Sequence, residues 1–196
     1  MLSIVVLISG SGSNLRAILE ATDNPLFPAK VLAVGADCPA EGLAHAEEFS
    51  VPTFVVEPKF FANKQEWAQA LVRSTNYLKP DLVILAGFMR ILPETFVDEF
   101  AGRIINLHPS LLPVFPGAHA VADALAAGAT ETGSTVHVVD AGVDTGPVIS
   151  QKKLAIRPGS TVESLTEEIK SVEHDHIVEV IRKIAESEIQ LSKVSS

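Results

Sequence analysis

The stretch Arg103-Ile104-Ile105-Asn106-Leu107-His108-Pro109-Ser110-Leu111-Leu112-Pro113 begins as an apolar strand and ends in polar side chains. Asn106 and His108 are two residues apart, so on an extended backbone they point to the same face. There an amide that can hydrogen-bond stands beside a group that titrates near neutrality, a pairing that acyl-transfer chemistry can use. The fold follows from the other segments of this kind. Apolar runs rich in Val and Ile at 4–8, 31–34, 53–56, 82–86 and 104–107 alternate with stretches of helical composition at roughly 14–21, 40–48, 64–77 and 93–99. Continuous apolar strands separated by helices imply a parallel sheet covered on both faces, hence a doubly wound, mostly parallel α/β domain. The polar pair then falls at the carboxyl edge of that sheet, where such folds bind ligands.

Two further apolar runs, 133–139 and 147–150, are joined by 140–146. That connection is too short for a helical crossover and predicts an antiparallel pair. From Thr161 to about Ser187 the spacing predicts a long amphipathic helix, with Val162, Leu165, Ile169, Val172, Ile177, Val180, Ile181 and Ile184 on one stripe. Glu173 interrupts the stripe, four residues from both Ile169 and Ile177, so it shares their face. It is either a helix-edge residue reaching water, which spacing alone favours, or a ligand contact. No internal repeat or interior boundary is visible, so residues 1–196 are expected to form a single domain. Its phosphate-binding part would cover about 1–100 and its catalytic part about 85–196.

A chain of 196 residues is large enough to bury about 70% of the surface its unfolded form exposes, without disulfide or metal. The hydrophobic fraction of 47% comes in strand-sized runs, too short to span a membrane. The opening run, Met1-Leu2-Ser3-Ile4-Val5-Val6-Leu7-Ile8, lacks a basic leader and reads as a buried strand, which makes a cytoplasmic protein the expectation. A net charge of -9 argues against non-specific nucleic-acid binding, so an anionic substrate must be held by local donors. Cys38 is the single cysteine, which excludes an internal disulfide and a cysteine-rich zinc site. Within Ala36-Asp37-Cys38-Pro39 it reads as a turn residue, because no basic residue lies close in sequence to activate it as a nucleophile.

Ser9-Gly10-Ser11-Gly12-Ser13-Asn14-Leu15 follows the first strand and opens the first helix, where free N–H groups and the helix dipole favour a phosphate. Leu15 occupies the place of the third glycine of a dinucleotide fingerprint, and no Walker lysine follows. A monophosphate site is therefore preferred to either, and the loop's place at the sheet's carboxyl edge favours it over a plain capped turn. Asp144 lies in Asp140-Ala141-Gly142-Val143-Asp144-Thr145-Gly146-Pro147 and alone would be a turn residue. If that loop folds over the edge of the fifth strand, its carboxylate can meet and orient the His108 imidazole, giving an Asn–His–Asp set. A Gly-x-Ser-x-Gly nucleophile elbow is absent. His174 and His176 diverge on a helix, which argues against a metal pair. His45, His119 and His137 lack a metal-ligand spacing, and His119 near Pro116-Gly117 is a ligand contact or a helix-start residue.

With these motifs the chain resembles the phosphoribosylglycinamide formyltransferases, the folate-dependent transformylases of purine synthesis. The likeness runs from Ile8-Ser9-Gly10-Ser11-Gly12-Ser13-Asn14-Leu15 through Leu85-Ala86-Gly87-Phe88-Met89-Arg90-Ile91-Leu92. It continues through Ile105-Asn106-Leu107-His108-Pro109-Ser110-Leu111-Leu112-Pro113 and Val143-Asp144-Thr145-Gly146-Pro147-Val148-Ile149 to Glu173-His174. The resemblance implies that Gly12, Ser13, Asn14 and Glu173 bind glycinamide ribonucleotide, and that Asn106, His108 and Asp144 are catalytic. It also implies that Lys64, Met89, Arg90, Ile91, Leu92 and Asn106, with Asp140, Ala141, Gly142 and Val143, form the pocket for 10-formyltetrahydrofolate as co-substrate. Lys64 stands where bacterial relatives often have arginine, Val114 replaces a frequent basic residue and Ala141 a frequent acidic one.

The expected reaction is direct formyl transfer to an amine through a tetrahedral intermediate, without metal or covalent enzyme intermediate, in a monomer or homodimer that engages neither nucleic acid nor membrane. Protonated His108 and the Asn106 amide would stabilise the oxyanion, and Asp144 would support the imidazolium. Another folate-dependent formyltransferase or a formyltetrahydrofolate hydrolase would use the same trio. A non-catalytic mononucleotide-binding module would keep the phosphate loop and need none of the three.

Overall fold

A computed structural model describes residues 1–194. Its centre is β1 (Leu2–Ile8), which is buried from Ile4 onward. Alternate side chains of a strand point to opposite faces. Ile4, Val6 and Ile8 accordingly pack with Leu15, Ile18 and Leu19 of α1 (Ser13–Thr22) and with Ile177, Val180 and Ile181 of α6 (Val162–Ala185). Val5 and Leu7 pack on the other face, with Trp67 and Leu71 of α3 (Lys64–Asn76) and Phe96 of α4 (Glu94–Glu99). The continuous apolar run is thus the signature of a strand with helices on both sides.

The remaining strands are β2 (Ala29–Ala36), β3 (Thr53–Val55), β4 (Leu82–Leu85), β5 (Ile104–His108), β6 (Glu131–Val138) and β7 (Val148–Ala155). They form one seven-stranded sheet in the order β3-β2-β1-β4-β5-β6-β7. The first five pair in parallel, whereas β6 runs antiparallel to β5 and β7 antiparallel to β6. The doubly wound class, the antiparallel pair and the long final helix all agree with the sequence reading. Because β1 lies between β2 and β4, the loops leaving the carboxyl ends of β1 and β4 diverge and open a crevice. Residues 9–14 and 86–92 occupy its two sides.

Two elements differ from expectation. β7 continues past residue 150 through Gln151, Lys152 and Lys153, with alternating burial. It is an edge strand, and edge strands carry charges that block further pairing, which hides them from a search for apolar runs. The seven-residue α5 (Ala120–Ala126) has no counterpart in the predicted helices, since its buried face is only Ala120, Val121 and Ala124. The final helix starts where Thr161 and Ser164 cap one another reciprocally, at 3.2 Å and 2.9 Å.

Candidate active site

The antiparallel turn-back of β6 onto β5 places Asn106 directly opposite His137. Asn106 Nδ2 lies 3.1 Å from His137 Nε2, and His137 Nδ1 lies 2.9 Å from the Val138 carbonyl oxygen. The carbonyl can only accept, so Nδ1 carries the hydrogen and Nε2 accepts from the Asn106 amide. Burial pulls the His137 imidazole below its ordinary pKa, against the opposing pull of the Val138 carbonyl and Asp144. A neutral ring with this tautomer fits both contacts.

The loop between β6 and β7 delivers Asp144 to the same place. Asp140 Oδ1 accepts from Gly142 N at 3.0 Å and Thr145 Oγ1 at 2.8 Å, folding the loop on itself. At Gly142 a Cβ would lie 2.0 Å from Thr145 Oγ1, so the turn requires glycine. Asp144 itself has a left-handed φ of 54°, a conformation that Asp tolerates better than most residues. Its Oδ2 accepts from Gly117 N at 2.8 Å and lies 3.4 Å from His108 Nδ1. Its Oδ1 lies 3.5 Å from both Asn106 Nδ2 and His137 Nε2. One carboxylate therefore bridges two strands and two histidines. His108 Nε2 is 2.9 Å from the Phe115 carbonyl oxygen, so in the charged ring each N–H would face an acceptor.

These residues line a cavity of about 250 Å³. Met89, Arg90, Ile91, Leu92, Asn106, Asp140, Gly142 and Val143 line it, with His108, His137 and Asp144. Ala141 and Lys64 stand outside its wall. Lys64 instead lines an adjoining recess of about 510 Å³ with Phe61, Trp67, Met89, Arg90 and Ile91. Val114 is half exposed, and its carbonyl accepts from Ser110 Oγ at 2.6 Å.

A second cavity of about 300 Å³ is lined by Gly12, Ser13, Asn14 and Glu173 together with Ser9, Thr166 and Lys170. Gly12 has φ 73°, and a Cβ there would lie 2.9 Å from Gly42 Cα, so glycine is needed twice over. No side chain caps α1, which leaves its first-turn N–H groups free of a side-chain acceptor. Glu173 is 6% exposed, which corrects the reading of it as a helix-edge residue reaching water. Asn14 Nδ2 donates to its Oε2 at 2.9 Å, while Asn14 Oδ1 is buried without a partner. Burial pushes the Glu173 carboxyl above its ordinary pKa, and the Asn14 bond and the nearby Lys170 charge pull it back in part. Gly87, Met89, Leu107 and Pro109 belong to both cavities, so the two share a wall.

His137 was weighed from sequence only as a metal ligand, and Lys170 was passed over. The first becomes visible only through the β5–β6 register. The second stood in plain view, three residues before Glu173 and therefore on its helix face. Other candidates settle elsewhere. His119 is exposed just before α5. Cys38 Sγ donates to the Ser9 carbonyl at 3.3 Å, and burial pushes its thiol up, away from nucleophilic use. His176 is fully buried between Ser134 Oγ and Ser150 Oγ, each at 2.9 Å.

Comparison with known proteins bears on this geometry. The formyl transferase family model matches residues 2–181. Phosphoribosylglycinamide formyltransferase of Mycobacterium tuberculosis is 46% identical over 182 residues, covering 93% of this chain and 84% of that protein. The Bacillus subtilis protein of the same name is 39% identical, covering 94% and 95%. The crystal structure of glycinamide ribonucleotide transformylase 1 from Symbiobacterium toebii superimposes with a TM-score of 0.92 at 41% identity, covering 95% of this chain and 89% of that one.

Proposed function

The chain belongs to the formyl transferase family, and from that premise we propose that it is a phosphoribosylglycinamide formyltransferase. It moves the formyl group of 10-formyltetrahydrofolate onto the amine of glycinamide ribonucleotide, giving formylglycinamide ribonucleotide and tetrahydrofolate in purine synthesis. The observation that carries this reading is the shared wall: a cavity holding Asn106, His108 and Asp144 adjoins a second one built around an uncapped helix N-terminus.

The first-turn amides of α1 receive the acceptor's phosphate, and the Lys170 ammonium, 2.7 Å from the exposed Glu167 carboxylate, turns from that partner to join them, since both line one cavity. Glu173 and Asn14 hydrogen-bond the rest of the acceptor. The folate lies along residues 89–92 and the 140–144 loop, with its formyl group toward Asn106. Attack of the amine on the formyl carbon moves an electron pair onto the carbonyl oxygen. The hydrogen of Asn106 Nδ2 that points at Asp144 is only loosely held at 3.5 Å, so an oxyanion placed beside it can take that hydrogen bond. His137 keeps the amide oriented through the other hydrogen. His108, with Asp144 beside it, adds positive charge. As the oxyanion pair re-forms the carbonyl and the bond from its carbon to the folate nitrogen breaks, the amine loses one proton and that nitrogen gains one, by way of Asp144 and water. Attack is direct, so holding the two ligands together across the shared wall supplies much of the acceleration.

The enzyme works in the cytoplasm on small molecules, as a monomer or homodimer, with neither nucleic-acid nor membrane partner. The net charge of -9 supports the lack of a nucleic-acid partner, and no described helix is long and apolar enough to cross a membrane. The test is formyl transfer from 10-formyltetrahydrofolate with and without glycinamide ribonucleotide. Acceptor-dependent product supports the reading; acceptor-independent loss of formyl would point to a hydrolase, and no turnover to a binding module.

A further inference from the structure

Asp37 stands one residue beyond the end of β2 and is 4% exposed. Its Oδ2 is paired with Arg90 Nε, and its Oδ1 is buried without a partner. Arg90 lies in the irregular connection between β4 and α4, and it lines both the folate cavity and the adjoining recess. That connection is fastened to β1 near its start, where Ser9 N donates to the Gly87 carbonyl at 3.0 Å and Met89 N donates to Ser9 Oγ at 2.8 Å. The Arg90 side chain fastens it to β2 instead. Burying a carboxylate is costly unless it is paired, and such a pair contributes more to fixing geometry than to net stability. The Arg90 side chain is 47% exposed, so water would solvate it without Asp37. The deeper burial is on the carboxylate's side, which marks Asp37 as the fixed post and Arg90 as the tether.

We propose that Asp37 is a positioning residue for the folate cavity: by holding Arg90 it sets the path of residues 89–92, which form one wall of that cavity. The acceptor cavity, reached by the same connection only through Ala86, Gly87 and Met89, keeps its fastening to Ser9. The inference rests on the folate reading of the cavity given above.

The test compares the parent protein with Asp37→Ala, Asp37→Asn, Arg90→Ala and the double variant Asp37→Ala/Arg90→Ala. Steady-state constants are measured for both substrates, and tetrahydrofolate binding is followed by fluorescence of Trp67, the single tryptophan, which lines the recess beside Arg90. Asp37→Ala should raise KM for 10-formyltetrahydrofolate by about ten-fold, with KM for glycinamide ribonucleotide within about two-fold and kcat within about three-fold. Asp37→Asn, which keeps one acceptor oxygen for Arg90, should recover part of the loss. The double variant should be no worse than the poorer single one, because both remove one interaction. A donor KM unchanged in Asp37→Ala, additive losses in the double variant, or both KM values and kcat failing together with a lowered Tm would overturn the proposal. A parent protein that neither transfers formyl nor binds folate would overturn the functional reading and this inference with it. A parent that does both, beside an Asp37→Ala variant that matches it, overturns this inference alone.

Discussion

Asn106 and His137 face one another across the only point where β5 and β6 bring two polar side chains of the donor cavity into register, and the amide donates to the imidazole at 3.1 Å. The ring can accept because it is neutral and its hydrogen is spent on the Val138 carbonyl. A histidine held in this state orients its neighbour and needs no part in proton transfer.

Asn106→Ala should lower kcat by roughly 10²–10³-fold, the range for one lost oxyanion donor, with both KM values changed much less. His137→Ala should lower kcat in the same direction, and adding it to Asn106→Ala should cost little more, since the ring acts through the amide. Steady-state kinetics of the two single variants and the double variant decide this. Near-normal turnover in Asn106→Ala removes the residue from the mechanism.

Asp144→Ala should reduce kcat by about 10²–10⁴-fold, the range for a positioned acid–base group. The loop loses its tie to Gly117 N as well, so the more telling variant is Asp144→Asn, which keeps an oxygen to accept that bond. It should retain the parent's thermal unfolding and both ligand affinities and still lose most formyl transfer. Should it transfer formyl at nearly the parent's rate, Asp144 is a turn residue.

Lys170→Met should raise KM for glycinamide ribonucleotide by about ten-fold and leave the folate KM unchanged, and added salt should weaken the parent more than the variant. Gly12→Val should raise the same KM and also destabilise the protein by about 1–3 kcal/mol, because it forces a branched residue into a left-handed conformation against Gly42. Urea unfolding separates the two effects. If the folate KM rises in Lys170→Met, the two cavities have been exchanged.

His176 makes stability depend on pH. Desolvation lowers its pKa from 6.5 to about 4, so between those values the unfolded chain binds the proton that the folded one refuses. Stability therefore falls as pH drops through that window, by about 2–3 kcal/mol at pH 4.5. Glu173 acts with the opposite sign: burial raises its pKa, so the folded state takes up that proton first on acidification. His176→Gln removes only the first effect. Urea titrations at pH 7 and pH 4.5 should show the variant losing less stability than the parent, and equal losses would exclude His176 as the source.

The sheet's parallel half was legible because β1 from Ile4 onward and β4 are buried on both faces and apolar without a break, and β5 enters as Ile104-Ile105 before its polar end. The same rule concealed the second half of β7, where Lys153 faces water and Lys152 pairs with Glu179, and α5, whose alanines bury too little surface to leave a pattern. At the site, Asn106 and His108 could be read from one strand, since alternation alone puts them on one face. Their meeting with Asp144 depended on how a glycine-rich loop folds, and His137 on strand register, neither of which local sequence records. Glu173 was legible as an anomaly but not as a contact: its face was clear from spacing, whereas its burial needed Asn14 from a helix 159 residues away.

The wall that Gly87, Met89, Leu107 and Pro109 give to both cavities also divides the chain by inheritance. On the proposed reading, the donor wall and the groups around the reacting carbon come from residues between 85 and 144. Apart from that partition, Ala86 and Val121, the acceptor side is drawn from the two extremes of the chain, 9–14 and 166–173. Changes at those extremes can retarget the acceptor while the one-carbon chemistry stays as it is. Grafting a new first loop and a new turn of the last helix is the smallest edit that would alter what receives the formyl group without altering how it is delivered.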